Sequence, residues 1–580
     1  MATPVLEPAV QANIDQWLNG NYDEQSKATI RQLLSEGKTG ELTDAFYRDL
    51  EFGTGGIRGI MGVGSNRINR YTLGTATQGL SNYLVQLYPG EQVKVVIAHD
   101  CRNDSDTFAR MIAEVFSANG IYVYFFEGLR PTPELSFAIR ELGCHSGVMV
   151  TASHNPKEYN GYKAYGHDGG QLTEPHDENV MAEVEKIKSV DEVKFTPIVK
   201  NIETIGAEMD AKFLAALKAL SISRDAIHRQ RHLRIVFSPI HGTGGVLVPP
   251  VLQAFGFENV QLVQEQMVVD GNFPTVIYPN PEEKEALNMA IEQAKATDAE
   301  LVMATDPDAD RVGIAVRDNN GEFILLNGNQ TASLLINYVM LAWKNSGKLT
   351  GKEYIVKTIV TSYLIDKMAA AKGIECFNTL TGFKWIGKIM TELQGKKTFL
   401  AGGEESYGLL VGEHARDKDA VVSCAMIAEM AAYYKDQGRS VYDALLDIYV
   451  EFGCYQEKLI SLTKKGKSGA EEIAALMEKY RQDPPKTLGG AAVVTIKDYQ
   501  TSVSHNLQDG SQEAIDLPQS NVLQFFTADG SIISARPSGT EPKIKFYCSA
   551  NAPLATKNDY VQVQKELELK IDAIMKDLGV

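Results

Sequence analysis

Short β-branched runs alternate with amphipathic stretches along most of this chain, and that alternation restricts the fold more than any other feature. Val93-Lys94-Val95-Val96-Ile97-Ala98 stops at the polar group His99-Asp100-Cys101-Arg102. A helical pattern from Thr107 to Asn119 follows, then a second run from Ile121 to Phe126. The succession returns at Ile235-Val236-Phe237, from Glu300 to Thr305 and from Glu353 to Thr361. Strand, polar loop, helix, repeated, is the pattern of a largely parallel sheet covered by helices. Residues 10–50 carry helical spacing (Ile14, Trp17, Leu18, then Ile30, Leu33, Leu34), and Asp559 to Leu578 reads as an amphipathic helix. No short fixed period exists, which excludes solenoids and propellers.

A chain of 580 residues holds several domains at roughly 100–200 residues each. Breaks are expected near 200–208, at Asp318-Asn319-Asn320-Gly321 and in the polar segment 462–490. They divide the chain into α/β units at 1–205, 206–320 and 321–460 and a smaller α+β unit at 461–580. The formal net charge of −17 repels nucleic acid and anionic membranes, so any cations that bind an anion must be gathered locally. The six cysteines include no C-x-x-C pair, which argues against a zinc ribbon or dithiol redox site. The first residues lack the basic-then-apolar order of a secretory signal. No run approaches the ~18 apolar residues of a membrane helix. A cytoplasmic chain is expected, with its oligomeric state left open.

Four loops carry chemistry. In Thr151-Ala152-Ser153-His154-Asn155-Pro156 an apolar strand, Gly147 to Val150, runs into a polar turn, and Pro156 keeps Asn155 out of helix. Taken alone, Ser153 suits a helix-capping turn as well as an exposed nucleophile, and no G-x-S-x-G elbow surrounds it. After Leu301-Val302-Met303, the loop Asp306-Pro307-Asp308-Ala309-Asp310-Arg311 places three carboxylates at strict alternation. In an extended loop they would face one point, where a hard divalent cation, Mg²⁺, would relieve their repulsion. An EF-hand is excluded, because Arg311 and Arg317 stand where that loop needs Gly and Glu. Gly402-Gly403-Glu404-Glu405-Ser406-Tyr407-Gly408 pairs carboxylates with a hydroxyl, a set suited to a polyol. Arg536-Pro537-Ser538-Gly539-Thr540-Glu541-Pro542-Lys543 combines arginine, hydroxyls and a permissive glycine into a phosphate cradle. Gly466-Lys467-Ser468 is no P-loop, since Ser461 replaces the first glycine.

Together and in this order, the four loops resemble the signature set of the α-D-phosphohexomutase family: a phosphoserine loop, a metal loop, a sugar loop and a phosphate loop. The resemblance spans almost the whole chain. It implies three α/β domains of shared topology and a smaller α+β C-terminal domain around a central cleft. It implies that Ser153 carries a phosphoryl group and binds Mg²⁺ together with Asp306, Asp308 and Asp310. Glu404 and Ser406 would bind sugar hydroxyls, and Arg536, Ser538, Gly539 and Thr540 the phosphate that is not reacting. Lys163 matches a family lysine beside the phosphoserine, and Arg58 the N-terminal arginine of the cleft. Arg311 and the lysines would stabilise the transferring charge. Lys163 or His154 would handle the hydroxyl proton, with a pKa lowered by cationic neighbours. Tyr407-Gly408 and Lys418 resemble the version carried by members acting on glucose phosphates. The expected reaction is the interconversion of glucose 1-phosphate and glucose 6-phosphate through the 1,6-bisphosphate. Mannose and pentose phosphates are the alternatives within the family; a sugar phosphatase and a non-catalytic sugar-phosphate binder lie outside it.

Overall fold

In the computed structural model, which describes residues 6–50, 55–464, 466–538 and 543–580, three consecutive sheets repeat one strand plan. The first sheet is built on Lys94–His99, Tyr122–Phe126, Ser146–Val150 and Tyr159–Gly166. The second uses Ile235–Ser238, Val260–Leu262, Leu301–Thr305 and Val312–Arg317. The third uses Glu353–Thr358, Glu375–Thr379, Thr398–Gly403 and Leu409–Val411. In each, the order across the sheet is fourth, third, first, second. The first strand pairs in parallel with both neighbours, and the fourth runs antiparallel to the third. The step from third to fourth strand is therefore a tight turn rather than a helical crossover. These three turns are residues 151–158, 306–311 and 404–408, so the serine, aspartate and glutamate loops are topological equivalents.

Extra strands extend the plan. Gly56–Ile60 lies antiparallel on the fourth strand of the first sheet and Ile202–Ile205 parallel on its second. Both faces of this sheet are buried, as a mostly parallel sheet requires. Val95 and Ile97 pack with the helices Arg70–Leu87 and Ser105–Ala118, while Val96 and Ala98 face Leu135 and Ile139 on the other side. That second cluster continues through Phe237, Ile355, Phe399 and Phe546, joining all four units in one apolar core. The helices Pro8–Asn19, Glu24–Ser35 and Thr39–Phe46 form a small cap held around Trp17, Phe46 and Tyr71. No helix among the described residues is long and apolar enough to cross a membrane.

The last unit is an antiparallel sheet in the order Cys454–Thr463, Lys543–Ala552, Ile532–Pro537, Leu523–Thr527, Ala491–Asp498, Val503–Asn506, Gln512–Ala514. The helix Tyr560–Asp577 packs on it through Leu567, Ile571 and Ile574.

Two expected breaks move. Asp318-Asn319-Asn320-Gly321 is a hairpin turn inside the second sheet and joins Val312–Arg317 to Phe323–Leu326. Asp318 Oδ1 accepts from the backbone N–H of Asn320 and Glu322 at 2.8 and 2.9 Å, and Gly321 supplies φ 84°. Turn residues of this kind serve a hairpin as well as a linker. The unit thus runs past 320 to Leu326. The last sheet begins at Cys454 rather than 461, because Cys454–Thr463 pairs over its whole length with Lys543–Ala552. Within the polar segment 462–490 lies the helix Gly466–Gln482.

Candidate functional site

The four chemical loops meet in one cleft of about 580 Å³. The first unit contributes Arg58, Ser153, His154 and Lys163, and the second Glu282, Asp310 and Arg311. Glu404, Ser406 and Lys418 come from the third, and Arg536 and Lys545 from the fourth. An acidic chain has thus gathered its cations locally. Gly539 and Thr540 lie outside the described residues. The neighbouring Ser538 closes the strand pair by donating its N–H to the Lys543 carbonyl at 2.7 Å.

Ser153 sits just after the third strand of its sheet, in the left-handed region at φ 52°, a conformation that surrounding contacts must hold in place. No helix follows it, so the capping reading falls: the next element is the antiparallel strand Tyr159–Gly166. Its restraint comes from a residue that sequence reading passed over. Arg102, fully inside the loop, donates from Nη2 to the carbonyls of Ser153 (2.6 Å) and Asn155, and from Nη1 to those of Pro156 (2.8 Å) and Tyr159 (3.0 Å). Asp100 pairs with Arg102 at 3.3 Å and accepts from Thr151 Oγ1 at 2.6 Å. Thr151 Oγ1 in turn accepts from the N–H of Ser153 at 2.8 Å. The available signal was an Asp and an Arg directly at the end of a buried strand. Arg58 Nη1 donates to Asn155 Oδ1 at 3.1 Å from the other side of the turn.

Asp306, Asp308 and Asp310 do converge, with one oxygen of each within 4.8 Å of the others, all three buried. The geometry behind this differs from the extended loop expected. The loop curls: Asp306 Oδ1 accepts from the N–H of Asp310 (3.1 Å) and Arg311 (3.0 Å), and Ala309 adopts φ 49°. Each carboxylate is pinned through one oxygen. Asp308 Oδ2 accepts from Lys163 Nζ at 2.6 Å and Thr132 Oγ1 at 2.7 Å. Asp310 Oδ2 faces Lys163 Nζ at 3.1 Å and Lys418 Nζ at 3.2 Å. Asp308 Oδ1 and Asp310 Oδ1 are buried with no hydrogen-bond donor. Asp306 Oδ2 accepts from Ser153 Oγ at 2.9 Å. Three buried carboxylates thus converge, one of them on Ser153 Oγ, and Asp308 and Asp310 each keep an oxygen without a donor, a set that can hold a hard divalent cation.

The electrostatics follow from this crowding. Burial pushes Asp306 well up, reinforced by Asp308 and Asp310. Burial also raises Asp310, but Lys163, Lys418 and Arg311 outweigh it and hold this carboxyl far below the usual range. His154 Nδ1 lies 3.2 Å from Ser153 Oγ, and burial together with Arg311 and Arg58 holds the imidazole well below its ordinary pKa. For Lys163 the expected lowering is reversed. Burial lowers it, yet Asp308 and Asp310 overcome that and raise it. Arg311 Nη1 is anchored on Glu282 at 2.7 Å, a second residue the sequence did not single out.

In the glutamate loop, Glu404 Oε1 accepts from the N–H of Gly382 at 2.8 Å, and nearby Lys418 Nζ pairs with Asp417 at 3.0 Å. Glu405 accepts from Thr361 Oγ1 (3.1 Å) and Thr358 Oγ1 (3.3 Å), and burial beside Glu404 lifts it to about 7. Ser406 lines the cleft next to them.

Comparison with known proteins bears on the whole chain. Family models described as phosphoglucomutase/phosphomannomutase alpha/beta/alpha domains I, II and III match residues 49–191, 211–321 and 327–452, and that of the C-terminal domain residues 462–562. A phosphoglucomutase of Staphylococcus haemolyticus is 37% identical over 523 residues, covering 90% of this chain and 93% of that one. A phosphoglucomutase of Staphylococcus epidermidis is 34% identical over 535 residues, 92% of this chain and 96% of that protein. Among solved structures, the open form of parafusin, a phosphoglucomutase from Paramecium, superposes with a TM-score of 0.69 at 19% identity, covering 92% of this chain and 96% of that one. A phosphoglucomutase/phosphomannomutase family protein from Burkholderia thailandensis gives 0.65 at 20% identity, with 91% and 96% covered. These two show likeness of fold.

Proposed function

Because the chain belongs to the phosphoglucomutase/phosphomannomutase family of phosphosugar mutases, we propose that it interconverts glucose 1-phosphate and glucose 6-phosphate through a phosphorylated Ser153. The observation that carries this is the placement of Ser153 Oγ 2.9 Å from Asp306, one of three buried aspartates that converge and could hold a metal ion. Glucose rather than mannose or a pentose is favoured by the relatives named phosphoglucomutase at 34–37% identity.

Phosphoserine 153 transfers its phosphoryl group to the 6-hydroxyl of glucose 1-phosphate: the Oγ–P bond breaks and an O6–P bond forms. His154, 3.2 Å from Ser153 Oγ and held neutral, is the proton-handling group for this exchange, while Lys163, kept protonated by Asp308 and Asp310, supplies fixed charge. The bisphosphate turns over in the cleft, and its 1-phosphoryl group returns to Ser153 Oγ, leaving glucose 6-phosphate. Asp306, Asp308 and Asp310 would hold Mg²⁺ beside Ser153, and the cation would supply charge stabilisation to the phosphoryl group. Arg58, Arg311 and Lys418 add fixed positive charge along the same path. Glu404 and Ser406 take the sugar hydroxyls; Arg536, Ser538, Gly539 and Thr540 hold the distal phosphate in either orientation. A cleft between four units can close over the bisphosphate and exclude water, which would keep the phosphoryl group from hydrolysis. We place the activity in the cytoplasm.

The test is isomerisation of glucose, mannose and pentose 1-phosphates by the wild type and by Ser153→Ala, with intact mass measured for both. Preference for glucose, a phosphate adduct on the wild type and loss of turnover by at least about 10³-fold in the variant are expected. A fully active alanine variant removes the phosphoserine reading, and a mannose or pentose preference removes the glucose assignment.

A further inference from the structure

Thr132 opens the helix Thr132–Glu141 of the first unit and is fully buried. It reaches into the second unit and grips Asp308 at two points. Its Oγ1 donates to Asp308 Oδ2 at 2.7 Å, and its N–H donates to the Asp308 carbonyl at 2.9 Å. We propose that Thr132 is a positioning residue for the divalent-cation site, a strut from the domain carrying Ser153 to the loop carrying the three aspartates. The proposal rests on the reading that Asp306, Asp308 and Asp310 bind a divalent cation.

The physical case starts at the helix end. The first N–H groups of a helix have no partner within it, so the N–H of Thr132 is available for a bond to another domain. A β-branched side chain has few χ1 options, so the hydroxyl of Thr132 has a direction set by the helix. The carboxylate of Asp308 turns on a broad two-fold torsion and needs such a fixed donor to settle. Lys163 also donates to Asp308 Oδ2, at 2.6 Å, but an ammonium on a flexible stem follows the carboxylate rather than directing it. With Oδ2 held by Thr132 and Lys163, Oδ1 is left buried with no donor, free to serve a cation. Lys163 thus neutralises Asp308, and Thr132 orients it. The backbone bond adds a second role, since it sets the height of the aspartate loop relative to Ser153, which lies on the same unit as Thr132.

Partners that orient a metal ligand typically contribute 10–100-fold in affinity. The experiment is calorimetric titration of Mg²⁺ into the full-length wild type and Thr132→Val, Thr132→Ala and Thr132→Ser, with phosphate occupancy on Ser153 matched by intact mass. Melting of each protein in chelator is measured alongside. Val and Ala should weaken Mg²⁺ binding by about 10-fold or more, while Ser, which restores the hydroxyl, stays near the wild type. The melting temperatures in chelator should not follow that order. Val or Ala variants that bind Mg²⁺ like the wild type, or a Ser variant as weak as they are, overturn the strut while leaving the metal reading intact. A wild type that takes up no Mg²⁺ overturns the metal reading itself, and with it the proposal.

Discussion

Lys163 lies between two buried aspartates, 2.6 Å from Asp308 and 3.1 Å from Asp310, and is itself buried. Removing one partner of such a cluster leaves charge uncompensated in a low dielectric, which costs about 3–5 kcal/mol. Lys418 remains near Asp310 at 3.2 Å, so Lys163→Met is expected at the lower end, about 3 kcal/mol, in urea unfolding without divalent cation. Added Mg²⁺ should recover part of that loss. A loss below roughly 1 kcal/mol would show that the aspartates do not rely on this ammonium. Alternating spacing made the three aspartates legible in the sequence, and the family resemblance added Ser153 and Lys163. Arg102, Thr132 and Glu282 were not legible. Each acts through a partner far along the chain, and no local pattern marks an arginine that will bind the carbonyls of a turn 51 residues away.

The serine, aspartate and glutamate loops are each braced by the segment at and after the end of the first strand of their own sheet. In the first unit this is Asp100 and Arg102 under the serine turn. In the third, Thr358 and Thr361 hold Glu405. In the second, Gly242 runs so close to the aspartate loop that a Cβ there would meet the Pro307 backbone at 2.5 Å, and Thr243 donates its N–H to the Pro307 carbonyl at 2.8 Å. Gly242→Ala must therefore push the loop that carries Asp306 and Asp308. The expected loss of stability is about 1–3 kcal/mol, with weaker Mg²⁺ binding in the same variant. An alanine variant with unchanged urea midpoint and Mg²⁺ affinity would show that the brace yields without moving the aspartates. In sequence, Gly242 looks like any turn glycine; its constraint is the backbone of another loop.

The four units share one cleft and one apolar core, and a buried carboxyl marks the seam between the last two. Glu457, on the edge strand of the fourth unit, is raised to about 7 by burial, although Ser362 of the third unit and Ser549 of its own sheet hydrogen-bond to it. A carboxyl whose folded pKa lies above its unfolded value binds more protons when folded. Its contribution is therefore intact at low pH and falls as pH rises from about 4.5 to about 7. Glu405 in the cleft titrates the same way, so stability should decline across this window. Glu457→Gln should flatten that decline, read from urea midpoints between pH 5 and 8. A variant as pH-dependent as the wild type would place the effect elsewhere.

Local chemistry on the chain was enough to determine the strand–helix alternation, the three α/β units and the smaller α+β tail, and the loops that hold serine, aspartates, glutamate and arginine. Periodicity and turn residues are short-range properties, and they survive in one dimension. Only the tertiary structure decided that three of those loops occupy one topological position in three copies of a strand plan. It also decided that the Asp318–Gly321 turn closes a hairpin instead of linking domains, and that the last sheet begins at Cys454. Strand order is a matter of which edges pair, and the same alternation permits several orders. Thr132 reaches Asp308 across two units, 176 positions away, and that role exists only once the domains are docked; Arg102 grips the serine turn within its own unit, but from 51 positions away, which no local pattern records.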